Sequence, residues 1–400
     1  MEYRQLGQYV SLNQGLAINA GTAHLVSKTK NDEFVYPLLR IADMVSGEYE
    51  KYISCKVNPS VIAQKDDIIY TRTGQVGLVF RGYYGVVHNN SFIVSLQSDN
   101  LSKDYLYAVL NSDFVRKQAL SLAKNSAQPD LTHDMFKSIV IPVPTKKKQI
   151  EIAAVYNFLS QKIEENTAVN DNLAQQAKLL YDYWFTQFDF PDENDKPYRS
   201  SGGQMVWNDL LKKKIPLGWE VKTLSELLKK NTQSFDYSSV QPTIDLSVMP
   251  SDSIALSQIN SSDNFSTNLY VMKKGDILFG SIRPYLHKAG IAPCDGAVAG
   301  TVHSYHTINP NDYNFSLLTM ARDSFFDYAV NTSSGTKMPV VSSDSILSFK
   351  FAYSKEVAKK FNSVPIMEII TRNVQETQRL IKLRDFLLPL LMNGQATIVG

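Results

Sequence analysis

Two short acidic segments have the spelling of a metal-dependent nuclease core. A "PD" pair ends at Asp192, and an "EVK" triplet runs from Glu220 to Lys222. In such enzymes two carboxylates hold a divalent ion and a lysine supports the attacking water. However, "PD" lies in a segment rich in Pro, Gly, Ser and charge, and "EVK" belongs to a unit that repeats "EYR" from Glu2. Chance therefore explains this spelling better than a nuclease site does.

Other catalytic signatures are missing from the sequence. There is no phosphate-binding loop of the G-x-x-x-x-G-K-[ST] type and no glycine-rich strand-to-helix turn suited to a cofactor. His303 and His306 in "HSYH" could imitate a metal pair, but their alternation favours a strand and no third ligand is evident. We therefore expect a chain without a metal site that catalyses nothing by itself.

A different chemistry, the reading of base edges in DNA, suits four polar clusters. Arginine commonly pairs with guanine and Asn or Gln with adenine, while basic and hydroxyl groups bind phosphate. Solvated loop residues would have the same composition, but as clusters they favour DNA contact, and Arg283 is the strongest single candidate. The candidates are Arg72, Thr73, Gln75, Lys124, Asn125 and Gln128 in the first half, and Arg283, Tyr285, His287, Lys288, Thr336 and Lys337 in the second.

The two halves of the chain repeat one another at a shift of about 210 residues, which indicates a duplicated structural unit. "LNSDFVRKQAL" from Leu110 matches "MARDSFFDYAV" from Met320, and "DIIYTR" from Asp67 matches "DILFGS" from Asp276. The polar clusters therefore occupy matching places in two similar globular parts. Two basic runs, 146–148 and 212–214, could bind phosphate or simply be solvated.

A long amphipathic stretch follows each globular part, and each carries an apolar stripe at helical spacing. Both stripes include an asparagine at the same step, and a polar residue in a coiled-coil seam fixes the register of the helices. We expect the two stretches to pair as an antiparallel coiled coil. The predicted pairing residues are Leu159, Ile163, Asn166, Leu173, Leu180 and Trp184 in the first stretch, and Ile366, Ile370, Asn373, Leu380, Leu387 and Leu391 in the second.

The composition is that of an ordinary globular protein, with 44% hydrophobic residues and a net charge of +2. Binding to nucleic acid would then depend on local basic surfaces. Charges at Lys382, Arg384 and Asp385 interrupt the leucine-rich tail, so we expect no membrane span. The N-terminus lacks the apolar core of a signal peptide, and two cysteines make no disulfide framework. These features predict a cytoplasmic protein.

The predicted fold class is α+β. Short β-branched and aromatic runs predict strands in each globular part, and 103–123 and 316–330 each predict one amphipathic helix. The predicted divisions are a first domain at 1–145, a central long helix at 146–188, a linker at 189–219, a second domain at 220–354 and a C-terminal long helix at 355–394.

With these motifs in this order, the chain resembles the specificity subunits of type I restriction-modification systems. The resemblance covers nearly the whole chain. It is carried by the repeated "DDIIYTRTG" and "GDILFGSIRPYL" strands, the "SGTKMP" loop, the "YDYWFTQFDFPDENDKPYRSSGG" linker followed by "IPLGWE", and the terminal "LRDFLLPLLMNG". It implies two similar target-recognition domains held apart by two long helices, each domain reading one half of a split sequence in double-stranded DNA.

The resemblance also implies partners. The helices would hold two methylation subunits, restriction subunits would complete the complex, and S-adenosylmethionine, ATP and Mg would bind to those partners, with no cofactor in this chain. The complex would be an adenine methyltransferase and ATP-dependent endonuclease, and this chain its non-catalytic subunit. The chain has no Asn/Asp-Pro-Pro-aromatic run of the kind the adenine-methylating partner would carry.

Two domains on antiparallel helices would be related by an approximate two-fold axis and would face two half-sites, as dimeric readers do. One alternative stays open, a non-catalytic coiled-coil adaptor protein without sequence-specific DNA reading. The half-site sequences and the spacer length do not follow from the residues.

Overall fold

The computed structural model describes residues 2–123 and 129–397. Contacts between residues divide the chain into two compact units. Unit 1 takes Met1–Gln161 with Ile381–Gly400, and unit 2 takes Lys162–Leu380. Each unit thus contains one globular part together with a portion of each long helix. Within the described residues, no helix has the length and apolar character that crossing a membrane requires.

The globular part of unit 1 is a mixture of short strands and helices. Its elements are β1 (Glu2–Gln5), β2 (Val10–Gln14), β3 (Val26–Ser27), β4 (Phe34–Leu39), α1 (Ile41–Ser46), β5 (Tyr52–Ser54), β6 (Ile62–Ala63), β7 (Ile68–Thr71), β8 (Val79–Phe80), β9 (Gly85–Val87), β10 (Ser91–Leu96), α2 (Lys103–Leu110), α3 (Asp113–Ala123), α4 (His133–Ser138) and β11 (Val140–Val143).

Unit 1 packs its main sheet, in the order β2–β10–β7–β8, against helices. Tyr70 of β7 and Phe92 of β10 are fully buried, and the ring of Phe136 lies 4.7 Å from that of Tyr70. A second sheet, in the order β3–β5–β4–β9–β6, has its own apolar clusters, and β1 pairs with β11. The turn that follows β7 therefore projects from a strand with a rigid aromatic core behind it.

The first long helix, α5 (Lys146–Tyr181), continues as a π-helical turn over Asp182–Thr186. The remaining elements are β12 (Met205–Asn208), β13 (Lys213–Pro216), β14 (Glu220–Thr223), β15 (Leu228–Lys230), β16 (Pro242–Ile244), β17 (Asn260–Ser261), β18 (Leu269–Met272), β19 (Ile277–Gly280), β20 (Ala289–Ile291), β21 (Gly296–Ala299), β22 (Val302–Thr307), α6 (Tyr313–Ala321), α7 (Asp323–Asn331), α8 (Ser343–Leu347), β23 (Lys350–Tyr353), α9 (Lys355–Asn362) and α10 (Ile366–Met392).

The internal repeat is confirmed by the sheet order. In unit 2 the main sheet runs β15–β22–β19–β20, the same pattern as in unit 1, and β14 pairs with β23 as β1 pairs with β11. Equivalent backbone bonds follow the equivalent strands. Leu131 N–H donates to the carbonyl of Arg72 (3.0 Å), and Val341 N–H donates to the carbonyl of Ser281 (2.9 Å). Arg72 and Ser281 thus hold equivalent places.

The antiparallel pairing of the long helices is also confirmed. In unit 2 the Asn166 amide donates to Glu376 (3.3 Å) and the Asn373 amide donates to Asn170 (3.1 Å). From the first contact to the second, the residue number increases in α5 and decreases in α10, so the two helices run antiparallel. In unit 1 the start of α5 and the end of α10 contribute to one apolar cluster, for example through Tyr156.

The sequence predicts one C-terminal long helix over 355–394, but the structure interrupts it. It is divided into α9 and α10 by Ser363, Val364 and Pro365. A residue before proline is driven away from helical backbone angles by a clash with the proline ring, and proline itself has no N–H for the helix ladder. The break therefore has a local cause at Val364-Pro365.

The prediction of one amphipathic helix in each globular part is also wrong, because each of these segments forms two helices. The break between α2 and α3 falls at Asn111-Ser112, and the break between α6 and α7 falls at Arg322. The Ser112 hydroxyl accepts a hydrogen bond from Val115 N–H (3.3 Å), so it caps the start of α3. The apolar periodicity correctly predicts helix on both sides of this polar stop, but it does not predict the stop itself.

Residues 189–219 are more than a linker. They contain the β12–β13 hairpin, and Phe190 and Ile215 are buried in the core of unit 2. The Asp189 carboxylate accepts hydrogen bonds from the backbone N–H and the hydroxyl of Ser200, both at 2.7 Å. The abundant Pro, Gly and Ser form tight turns here, while a few apolar residues anchor the segment.

Candidate nucleic-acid interface

In unit 2 the predicted DNA-binding residues lie on two adjacent loops. Arg283 and Tyr285 follow β19, and both are exposed. The backbone N–H of Arg283 donates to the carbonyl of Pro339 (2.8 Å) in the loop that carries Thr336 and Lys337. Thr336 and Lys337 are exposed too. The structure thus brings together, on one surface, residues that are far apart in the chain.

His287 and Lys288 differ from these four because their side chains already have partners inside unit 2. Nδ1 of His287 lies 2.9 Å from the Asp252 carboxylate, and the imidazole stacks on Phe326 with ring centroids 4.4 Å apart. Lys288 Nζ donates to the carbonyl of Leu246 (2.6 Å), and burial lowers the pKa of this ammonium. A DNA contact by either side chain would compete with these bonds.

In unit 1 the turn after β7 carries Arg72, Thr73 and Gln75. The Arg72 guanidinium lies 2.6 Å from the Asp130 carboxylate, and its Nε donates to the carbonyl of Leu131 (3.4 Å). Arg72 and Thr73 are half-buried, whereas Gln75 is exposed. Two of the five guanidinium donors hold the side chain in place, so the others remain for a ligand. The predicted residues Lys124, Asn125 and Gln128 lie outside the described residues.

The two turns differ at one backbone position. Gly74 in unit 1 and Arg283 in unit 2 both have left-handed angles, with φ of 77° and 53°. Each is two residues beyond an equivalent residue, Arg72 or Ser281. Glycine adopts these angles freely, whereas any other residue loses about 1–2 kcal/mol there. The fold therefore tolerates backbone strain in order to hold an exposed arginine.

The predicted pairing residues of the long helices fall into two groups by burial. Buried are Leu159, Asn166, Trp184, Ile370 and Leu391, and half-buried are Ile163, Leu173, Leu180, Ile366, Asn373, Leu380 and Leu387. Trp184 lies in the π-helical turn and packs on Phe361 of α9, with ring centroids 5.4 Å apart. Asn170 and Thr377, which lie on the same two helical stripes in the sequence, are buried as well.

The residues that resemble a nuclease core or a metal pair in the sequence have structural roles. Asp192 accepts hydrogen bonds from the backbone N–H groups of Asn194 and Lys196, so it closes a turn. Burial lowers the pKa of His303 to about 4. Nδ1 of His306 lies 2.7 Å from the side-chain oxygen of Asn231.

The sequence did not predict one group of two carboxylates and an imidazole. Potential ligand atoms of Asp252, His287 and Asp323 lie within 4.8 Å of one another. The hydrogen bond between Asp252 and His287 accounts for the closest approach, and it holds the turn that carries Arg283 and Tyr285. The group is therefore explained as a support for that turn.

Two further polar residues near Arg72 were also overlooked in the sequence, Gln14 at the end of β2 and His133 at the start of α4. Their side chains are hydrogen bonded at 3.0 Å although 119 positions separate them in the chain. Neither belongs to a repeated motif, so no local signal marks them. Only the sheet pairing of β2 with β10 brings Gln14 to this surface.

Comparison with known proteins gives consistent matches. The family model of the type I restriction modification DNA specificity domain matches residues 8–176. The specificity subunit of the type I restriction enzyme MjaIX from Methanocaldococcus jannaschii is 23% identical, over 92% of this chain and 85% of that protein. The specificity subunit of the HindI enzyme from Haemophilus influenzae is 22% identical, over 83% of this chain and 87% of that protein.

A solved structure supports the fold. The crystal structure of the S subunit of a type I restriction-modification system from M. genitalium aligns with all of this chain and 96% of its own, with a TM-score of 0.50 and 14% identity. The likeness therefore extends over both units and both long helices.

Proposed function

We propose that the chain is a specificity subunit of a type I restriction-modification system, as its matches to that family support, and that its two units read the two halves of a split DNA sequence. One observation carries this proposal. Equivalent strands, β7 and β19, end in equivalent turns, and each turn holds an arginine beside a second polar loop. Arginine can donate two hydrogen bonds to the acceptors of guanine, which suits these turns to the major groove.

The paired helices provide the second part of the proposal. They would hold two methylation subunits, and restriction subunits would join the same complex in the cytoplasm. Large apolar side chains on the outer faces of α5 and α10 support this, since Phe158, Leu179 and Phe386 are 69%, 70% and 65% exposed. Exposed apolar surface of this kind commonly marks a protein interface. S-adenosylmethionine, ATP and Mg would then act in the partner subunits.

Mapping of methylated adenines in host DNA tests the proposal. We expect a split motif that is methylated when the gene is present and unmethylated when it is deleted. A gene encoding Arg72→Ala and Arg283→Ala together should restore methylation poorly or with relaxed sequence preference, because both turns lose their guanidinium. Arg199→Ala, which removes an exposed arginine from 189–219, should restore the original motif.

The adaptor alternative gives the opposite result. A coiled-coil adaptor that reads no DNA would leave the methylation pattern unchanged by deletion of the gene or by either arginine substitution. That outcome would overturn the proposed function.

A further inference from the structure

The side-chain amide of Gln14, beside the Arg72 turn, has one fixed orientation. Its Nε2 lies 2.8 Å from the backbone carbonyl of Asn89 and 3.4 Å from that of Ser91. Carbonyl oxygens only accept hydrogen bonds, so the amide nitrogen must face them. The amide oxygen of Gln14 therefore faces His133, whose Nε2 lies 3.0 Å away.

This orientation fixes the tautomer of His133. The Gln14 oxygen can only accept, so Nε2 of His133 carries the proton, and Nδ1 of the neutral ring keeps a lone pair. Burial lowers the pKa of His133, the cationic Arg72 and Lys137 lower it further, and the Asp134 carboxylate opposes them. The ring is therefore neutral at pH 7, and Nδ1 is a hydrogen-bond acceptor.

The position of this acceptor is fixed. Among the described residues none hydrogen bonds to Nδ1, and the His133 side chain is half-buried. The His133 ring packs edge-on against Phe92, with centroids 5.3 Å apart and planes at 85°. The loop that binds Gln14 through Asn89 also accepts a hydrogen bond from Arg72 N–H through Asn90 (2.8 Å). One loop thus holds both the turn of the donor Arg72 and, through Gln14, the acceptor His133.

We propose that His133 is a specificity-determining residue of unit 1, accepting at Nδ1 a hydrogen bond from the exocyclic amino group of adenine or cytosine. Those two amino groups are the donors that bases present in the major groove, whereas guanine and thymine present acceptors there. Arg72 would take a neighbouring guanine, and Gln14 is the positioning residue that fixes the tautomer of His133. This inference rests on the proposed function, because it assigns one base contact within the DNA that unit 1 reads.

Selection from random double-stranded DNA tests this contact, with the full chain purified together with its methylation subunits. We expect the wild-type complex to enrich adenine or cytosine at one position of one half-site. His133→Phe keeps an aromatic ring against Phe92 but has no acceptor, so preference at that position should fall about tenfold or more. His24→Phe, at an exposed histidine of the same unit, is the matched control and should leave every position unchanged.

Base analogues identify the donor. Purine deoxyriboside lacks the amino group of adenine, and 2-pyrimidinone deoxyriboside lacks that of cytosine. The one that replaces the selected base should weaken binding of the wild-type complex but not of the His133→Phe complex. Equal sensitivity of both complexes would overturn the proposal.

Gln14→Glu separates the base contact from a structural role. A carboxylate beside Nε2 favours the imidazolium form, which places a proton on Nδ1 and turns the acceptor into a donor. The variant should lose the preference for the amino-bearing base at acidic pH and regain it as the pH rises. The charged groups that face the ring remain Arg72, Lys137 and Asp134, and a merely structural role would give no such pH profile.

Two outcomes distinguish failure of the proposed function from failure of the His133 contact. If the wild-type complex enriches no sequence, the proposed function fails. If it enriches both half-sites and His133→Phe enriches the same bases at every position, only the assignment of His133 fails.

Discussion

At the scale of single residues, Arg283 combines backbone strain with exposure. Its left-handed angles would suit a glycine, and the equivalent position in unit 1 is Gly74. A strained residue persists when the surrounding structure holds it, and such residues are common at functional sites. Here the hydrogen bond to Pro339 and the turn Pro284–Leu286 hold it. The strain supports the proposed role of Arg283 in DNA reading.

Arg283→Gly should therefore separate stability from DNA reading. Relief of strain is worth about 1–2 kcal/mol, and the greater freedom of glycine in the unfolded chain offsets about 0.5–1 kcal/mol of it. We expect unchanged or slightly higher stability in urea unfolding and lost discrimination at one base pair. Arg283→Ala is the control, since it keeps the strain and should lose discrimination without any gain in stability. A large loss of stability in Arg283→Gly would contradict this account.

His303 gives unit 2 a pH-dependent stability. Burial lowers its pKa from 6.5 to about 4, so the folded state favours the neutral ring. Above pH 6.5 both states are neutral and nothing is lost. As the pH falls through 6.5 the unfolded chain gains the proton first, and stability decreases until about pH 4. Between pH 7.5 and 5 the expected loss is about 2 kcal/mol, measured by urea unfolding.

His303→Phe removes the titrating group and keeps an aromatic ring of similar size. Its unfolding free energy should vary less with pH over that interval than that of the wild type. An unchanged pH dependence would show that other groups cause the loss.

At the scale of elements, the sequence predicted helices better than their interruptions. The apolar stripes of α5 and α10 follow a helical period, so local pattern was enough to predict both helices and their pairing. The breaks at Val364-Pro365 and at Ser112 depend on single residues that stop a helix. The second sheet of unit 1 was not predicted, because strands as short as Val26–Ser27 have almost no periodicity.

The polar layer between the long helices should fix their register. Asn170 is buried and accepts a hydrogen bond from the Asn373 amide. Asn170→Leu leaves that amide without its partner, which costs about 1–3 kcal/mol. Asn170→Leu combined with Asn373→Leu should recover the loss, because an apolar pair suits the seam better and only register specificity is reduced.

Urea unfolding of the wild type, both single variants and the double variant measures this coupling. Strictly additive effects of the two substitutions would show that the asparagines do not act as a pair.

At the scale of the whole molecule, the repeat was readable because it is a property of the entire sequence. The position of Arg283 beside Thr336 and Lys337 could be guessed from the matched motifs. The pairing of Arg72 with Asp130, 58 positions away, and that of Gln14 with His133 could not. Those contacts depend on how strands pair across the sheet, which leaves no mark on the local spacing of residues.

Since each unit has its own apolar core and its own arginine turn, the two half-sites should be read independently. Arg72→Ala should relax base preference in one half-site only, and Arg283→Ala in the other, as measured by selection from random DNA. The double variant should show the sum of both effects, because distant sites usually act additively.

Arg72→Lys keeps a cation beside Asp130 but loses the paired donors, so it should resemble Arg72→Ala in specificity while retaining more of the wild-type affinity for DNA. If Arg72→Ala relaxed both half-sites equally, the division of DNA reading between two autonomous units would be wrong.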